Sequence, residues 1–328
     1  MLRSITFGPN SDCFCCCTTQ GLVIFNSNPL KVVCNIDLGG GLIAAEPAFR
    51  CSLVALVAGG DKPAFEENKV VIYDVCLQKS VIELTLSSKV CNVKVNRDRI
   101  VVVLEYQVQV FSFSDIPEFL IYFDTNFNPQ GICVLNSEEL LAFPSIVNGH
   151  IGICWLNQQK IRTNTVKAHQ HAIRTLASNN NGSLIASSSL KGTLIRVFNS
   201  MSGHLLYEFR RGSQNALISS ITFSKDSSYI AVCSNHNTVH LFSLYDALQT
   251  STFKKFFTLK GRPSQIRIHL GNENKAADDS LLETQAGFMG NTLIVITPNG
   301  SFNVFERSAP NVYSCEFRRD LLEMITSS

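Results

Sequence analysis

The tetrapeptide Phe209-Arg210-Arg211-Gly212 sets two fixed cations side by side at the end of a predicted β-strand. Arginine keeps its charge at every relevant pH, and its planar fork can hold a phosphate through two parallel hydrogen bonds. Successive side chains on a strand point to opposite faces. Arg210 and Arg211 are therefore expected to serve two anion sites, one on either side of the same strand. The alternative is a surface pair with ordinary carboxylate partners, and the dipeptide alone does not separate the two.

The flanking segments add donors. Ser187-Ser188-Ser189 leads through Lys191-Gly192-Thr193 to Arg196, and Ser234 leads through Thr238 to His240. Each run carries small hydroxyl residues into a predicted strand with a cationic or titratable side chain just beyond. Hydroxyls, an imidazole and a guanidinium make up the donor set that phosphate oxygens need. The competing reading is structural, with the hydroxyls bonding inside the sheet and His240, His169 and His171 holding hairpins together.

The elements that must position these residues recur along the chain. Short alternating apolar runs end in an aromatic at Phe25, Tyr73, Phe111, Trp155, Phe198, Phe242 and Phe305, so that successive aromatics lie 48, 38, 44, 43, 44 and 63 residues apart. A second apolar run precedes each, as in Leu53-Val-Ala-Leu-Val57 and Tyr229-Ile-Ala-Val232. Asn148-Gly149 and Asn299-Gly300 stand where tight hairpins would join second and third strands. Hairpins in series at this period predict an all-β fold, a seven-bladed β-propeller of four-stranded antiparallel blades with WD40-like organisation, forming one domain over residues 1–328. Propellers avoid open sheet edges by closing the ring. Two closures are open from sequence: residues 311–324 as the last outer strand, or the N-terminal residues completing the last blade.

Bulk composition narrows the function. The 328 residues are 45% hydrophobic, with 28 Lys and Arg against 26 Asp and Glu, a net charge of +2. No global basic field exists to draw the chain onto nucleic acid, so anion recognition must be local. Cys13, Cys15, Cys16 and Cys17 crowd one apolar run with Phe14 and read as small buried hydrophobes in a reducing compartment. No histidine lies near that run, so neither a metal nor a cofactor is expected. No run approaches the ~18 apolar residues of a membrane span and no signal-peptide core is visible, which predicts a cytosolic or peripheral protein. No nucleophile elbow, His-Glu-x-x-His or P-loop occurs, so no enzyme activity is expected.

Phe209-Arg-Arg-Gly212, with Lys191-Gly-Thr-Leu-Ile-Arg-Val-Phe198 before it and Thr238-Val-His-Leu-Phe242 after it, resembles the PROPPIN family of phosphoinositide-binding propellers, especially its WIPI-type members. The likeness extends through Leu56-Val-Ala-Gly-Gly60, Asn68-Lys-Val-Val-Ile-Tyr-Asp74, Arg97-Asp-Arg-Ile-Val-Val-Val-Leu104, Asn128-Pro-Gln-Gly131 and Leu141-Ala-Phe-Pro144. It implies two rim sites for phosphatidylinositol 3-phosphate or phosphatidylinositol 3,5-bisphosphate. By position, the first would use Ser187, Ser189, Thr193, Arg196 and Arg210, and the second Arg211, Ser234, Thr238 and His240. It also implies work in autophagy or endolysosomal traffic at preautophagosomal, endosomal or vacuolar and lysosomal membranes, with a lipid-transfer protein as partner. Partner contacts are expected away from the Arg pair, for instance near Lys62-Pro63-Ala64-Phe65.

Related propellers insert a long loop between the third and fourth strands of blade six, and here that segment reads as short, about residues 245–252. The stretch that follows has two readings. Phe253, Phe256 and Phe257 insert into membrane with Lys254, Lys255 and Lys260 beside anionic lipid, or the same residues form the fourth strand. Protonation of His240 is expected to strengthen phosphate binding at mildly acidic pH. The function from a different class is a WD-repeat protein scaffold that binds no lipid.

Overall fold

Blade one shows how the sequence builds each unit. Its strands Leu2–Phe7, Cys13–Thr18, Gly21–Ser27 and Leu30–Asp37 pair in order as one antiparallel sheet. Seven such blades make up the computed structural model, which describes residues 1–48, 52–156, 161–244, 259–263, 266–270, 282–309 and 312–327. The expected seven-bladed β-propeller is the fold found.

Burial explains why strands of different position differ in composition. Second strands such as Leu53–Ala58, Arg99–Leu104 and Tyr229–Ser234 are buried at five of six positions, because a neighbouring blade covers each face. Near-continuous apolar runs follow from two covered faces. The outer strands of blades one and two, Leu30–Asp37 and Lys79–Thr85, instead alternate half-buried and exposed residues.

Seven apolar clusters fill the seven seams between blades. The seam between blades one and seven closes the ring, with Phe14 stacked 5.0 Å from Phe25 and 5.6 Å from Phe302. Among the described residues no strand is exchanged between the chain ends. The last blade takes all four strands from one stretch, Gln285–Met289, Thr292–Ile296, Ser301–Ala309 and Val312–Asp320, so the tail supplies the outer strand. A short helix α1 (Leu321–Thr326), capped by the Asp320 carboxylate accepting from Leu322 N–H at 2.8 Å, then buries Leu321 against the same seam.

Three of the four crowded cysteines are buried as expected, and Cys13 is half-buried. Cys15, Cys16 and Cys17 are buried among apolar neighbours, and burial pushes the Cys17 thiol up to about 12. Asn148-Gly149 and Asn299-Gly300 do join second to third strands, with Gly149 and Gly300 at φ 73° and 84°.

Blade six departs from the sequence reading. Its third strand is Thr238–Ser243 and its fourth is Ile266–His269, so the connection runs from residue 244 to residue 265 and is long. The fourth strand is thus a later segment than the sequence reading offered. Phe253, Lys254, Lys255, Phe256 and Phe257 lie outside the described residues. Further along the connection, Leu259–Pro263 lies parallel to the outer strand of blade five, with Pro263 opposite Arg210, and makes that sheet five-stranded.

Candidate functional site

Blade five is built from Ile173–Ser178, Leu184–Ser189, Leu194–Asn199 and Leu205–Arg210. Its apolar residues show which way each face looks. Ile195, Val197, Tyr207 and Phe209 pack with Ile218, Ile230, Val232 and Phe242 of blade six, whereas Ile185 and Phe198 pack with Ile151, Ile153 and Val166 of blade four. Strand alternation places Arg196, Glu208 and Arg210 on the blade-four side. Arg211, one residue past the strand, turns to the blade-six side.

The groove between blades four and five holds part of the first predicted set. Ser187 and Arg196 are cross-strand partners, and Arg196 faces Glu208 on the next strand. Two nitrogens of Arg196 reach the Glu208 carboxylate, at 2.8 and 2.7 Å, and a third donates to the Ala168 carbonyl at 2.5 Å. Its charge is already matched. The Ser187 hydroxyl is 2.9 Å from His169 Nε2, a buried contact. Burial, followed by the nearby Arg196 charge, lowers the His169 imidazole to about 4 and keeps it neutral. Ser189 is buried on the same strand, and Thr193 sits at the turn, where its carbonyl accepts Arg211 N–H at 2.9 Å. Arg210 is exposed and, among the described residues, forms no ion pair. A cavity of about 260 Å³ opens beside Arg196, with Lys167, Asn164 and Ser202 on its walls.

The groove between blades five and six gathers the second set more tightly. The Arg211 guanidinium donates from Nε to the Gly192 carbonyl at 3.0 Å and from Nη2 to the Gln214 carbonyl. Both partners are backbone acceptors without charge. Gly192 must be glycine, since its φ is 61° and a Cβ there would stand 1.8 Å from the Ala216 carbonyl oxygen. Across the groove, Ser234, Thr238 and His240 share one face of blade six. The Ser234 hydroxyl is 3.3 Å from that of Thr238, which is 3.3 Å from His240 Nε2.

Two residues absent from the predicted set complete this cluster. On the fourth strand of blade six, Arg267 lies opposite His240 and His269 opposite Thr238. The alternation Ile266-Arg267-Ile268-His269 was a strand signal with both polar residues on one face, but it lies outside the recurring aromatic signature. Burial, then Arg267 and Arg211, hold His240 down at about 4. Burial and the Arg267 charge also lower the Arg211 guanidinium. Among the described residues neither arginine is paired with a carboxylate.

One expectation is corrected here. A histidine held near 4 is neutral between pH 7.5 and 6, so His240 in the free protein gains no charge across that window. Among the described residues no cluster of three His, Cys, Asp or Glu is placed to hold a metal ion, and no helix is long and apolar enough to cross a membrane.

Comparison with known proteins places this geometry. A family model described as PROPPIN matches residues 44–254. SVP1-like protein 2 of Debaryomyces hansenii is 34% identical over 290 residues, spanning 76% of this chain and 67% of the relative. SVP1-like protein 2 of Saccharomyces cerevisiae is 32% identical, over 76% of this chain and 64% of its own. Autophagy-related protein 18e of Arabidopsis thaliana is 31% identical, over 87% and 78%. The chain thus spans about two thirds of the SVP1-like relatives. In fold it is similar to Hsv2 of Kluyveromyces lactis, with TM-score 0.81 at 22% identity over 98% of this chain and 99% of that one. A complex of KlAtg21 with the coiled-coil of AgAtg16 superposes with TM-score 0.78 at 22% identity, over 97% and 99%.

Proposed function

The chain belongs to the PROPPIN family, and on that premise we propose that it is a non-enzymatic adaptor that reads 3-phosphorylated phosphoinositides on membranes through two grooves flanking blade five. The observation that carries this reading is buried Arg211 beside neutral His240 and exposed Arg267, with no carboxylate among the described residues paired to either arginine. Buried charge is costly unless matched. A phosphate supplies the missing negative charge and accepts from guanidinium, hydroxyl and imidazole together.

The two grooves are unequal. Between blades five and six the cations await a counter-ion, and this groove, with Arg211, Ser234, Thr238, His240, Arg267 and His269, is the stronger site. Between blades four and five, Arg196 is engaged by Glu208, so Arg210, Ser187, Ser189 and Lys167 offer a weaker one, with Thr193 at its border. Two weak sites on one rigid body act together, because the first lipid bound raises the effective concentration of the second. Phosphatidylinositol 3-phosphate and phosphatidylinositol 3,5-bisphosphate fit the donor sets. The long connection of residues 244–265 is the candidate membrane-contacting element, with the Phe253 to Phe257 stretch inside it.

One relative is named autophagy-related protein 18e, and one structural neighbour is a complex of KlAtg21 with the coiled-coil of AgAtg16. A place at preautophagosomal, endosomal or vacuolar membranes, with recruitment of a protein partner such as a lipid-transfer protein, fits an adaptor of this kind. The test is flotation with liposomes containing or lacking 3-phosphorylated inositides, comparing wild type with the Arg210→Thr, Arg211→Thr double variant. Flotation that requires both the lipid and the arginines supports the reading. Equal behaviour of the two proteins would instead favour a scaffold that binds proteins alone.

A further inference from the structure

Another arginine, only weakly paired, lies far around the ring, on the seam between blades one and two. Arg3 sits in the first strand of blade one, and its side chain is only 12% exposed. Its Nε is buried with no hydrogen-bond partner, and no hydrogen bond from either terminal nitrogen is found among the described residues. Among the described residues its one ion-pair contact is Asp61 Oδ2 at 3.8 Å from Nη2, and Asp61 is itself fully exposed. A guanidinium has five donors, and buried cations in folded proteins are normally paired.

The neighbouring backbone is shaped to leave this group room. Gly60, at φ 96°, lies directly over it: a Cβ there would stand 2.1 Å from Arg3 Nη1 and 2.5 Å from Nη2. A Cβ on Gly41 would be 3.5 Å from Nε. The Gly60-Asp61-Lys62 tip is held in place by Gly41 N–H donating to the Lys62 carbonyl at 2.7 Å and Ala64 N–H donating to the Gly41 carbonyl at 3.1 Å. Arg3 and Lys62 against Asp61 leave one net positive charge at this spot.

We propose that Arg3, roofed by Gly60, is a carboxylate-binding site separate from the two grooves beside blade five. A single excess positive charge suits a monoanion, and the planar fork of arginine matches the two oxygens of a carboxylate. Asp61, at the rim, acts as a weak internal competitor that an incoming carboxylate displaces.

The Nε–H resonance of Arg3, assigned by its disappearance in Arg3→Lys, reports directly on the site. It is followed in the Arg210→Thr, Arg211→Thr background during titration with sodium acetate, sodium chloride or inorganic phosphate at matched ionic strength. Acetate is expected to give a saturable shift in the millimolar range that chloride does not reproduce. Asp61→Asn, an exposed substitution that leaves the fold intact, is expected to tighten acetate two- to fivefold. Identical responses to acetate and chloride, tighter saturation by phosphate than by acetate, or no gain in Asp61→Asn would each overturn the assignment.

Discussion

Arg211 Nε donates to the Gly192 carbonyl at 3.0 Å, so the cation of one groove is held by the hairpin that opens the third strand of its own blade. Arg210, one residue earlier, has no such tether and is exposed. Adjacent in sequence, the two arginines differ in what they do for the fold.

Arg211→Thr is therefore expected to cost about 1–3 kcal/mol of stability, because it removes hydrogen bonds from a charged group and leaves two carbonyls unmet. Arg210→Thr is expected to leave stability unchanged. Urea unfolding of the two single variants checks this, and both should also float less well with inositide-bearing liposomes. Equal midpoints would show that the backbone tether of Arg211 contributes nothing.

Gly192→Ala tests the same tether from the other end. Its Cβ would meet the Ala216 carbonyl oxygen at 1.8 Å, forcing the hairpin to move. The expected outcome is a lower melting temperature together with weaker liposome binding, although no phosphate donor has been removed. A variant that melts and floats like wild type would contradict the geometry.

Arg267→Gln addresses one of the two residues the sequence reading missed. Removing one of two like charges relieves repulsion on Arg211, so stability should hold or rise slightly, whereas lipid affinity should fall severalfold. The His240 imidazole should also titrate at higher pH, as followed by NMR. Loss of stability without loss of affinity would assign Arg267 to the scaffold.

Glu208→Gln releases Arg196 from its carboxylate. The groove between blades four and five should then bind anions more tightly, visible as stronger flotation in the Arg211→Thr background. Weaker flotation would mean that Glu208 is needed to position Arg196.

Stability should fall on acidification through His169 and His240. Both have folded values near 4, below the ordinary 6.5, so the unfolded chain binds more protons between those limits. Their contribution is complete above about pH 6.5 and is lost as pH drops toward 4, together on the order of a few kcal/mol. Urea midpoints measured from pH 7 to 4.5 check the slope, and His169→Gln should flatten it. A wild-type midpoint that stays level across that range would refute the assignment.

The repeat of aromatic-ended strands was enough to specify seven blades, because a strand sandwiched between two blades must be apolar on both faces, and that constraint is written locally. The direction of Arg210 was legible for a similar reason, since pleating depends only on neighbours in the chain, whereas Arg211, one residue past the strand, is aimed by its bonds to the Gly192 and Gln214 carbonyls. Tertiary structure alone decided that Arg196 is neutralised by Glu208, that Arg267 and His269 join the groove, and that His240 is held neutral. Those facts depend on which strands become neighbours and on how much water they exclude. The sequence left residues 253–260 open as the fourth strand of blade six, because they carry apolar character as good as that of Ile266–His269. Pairing with Thr238–Ser243 selects the later segment, and that choice is made by long-range hydrogen bonding that no local pattern encodes.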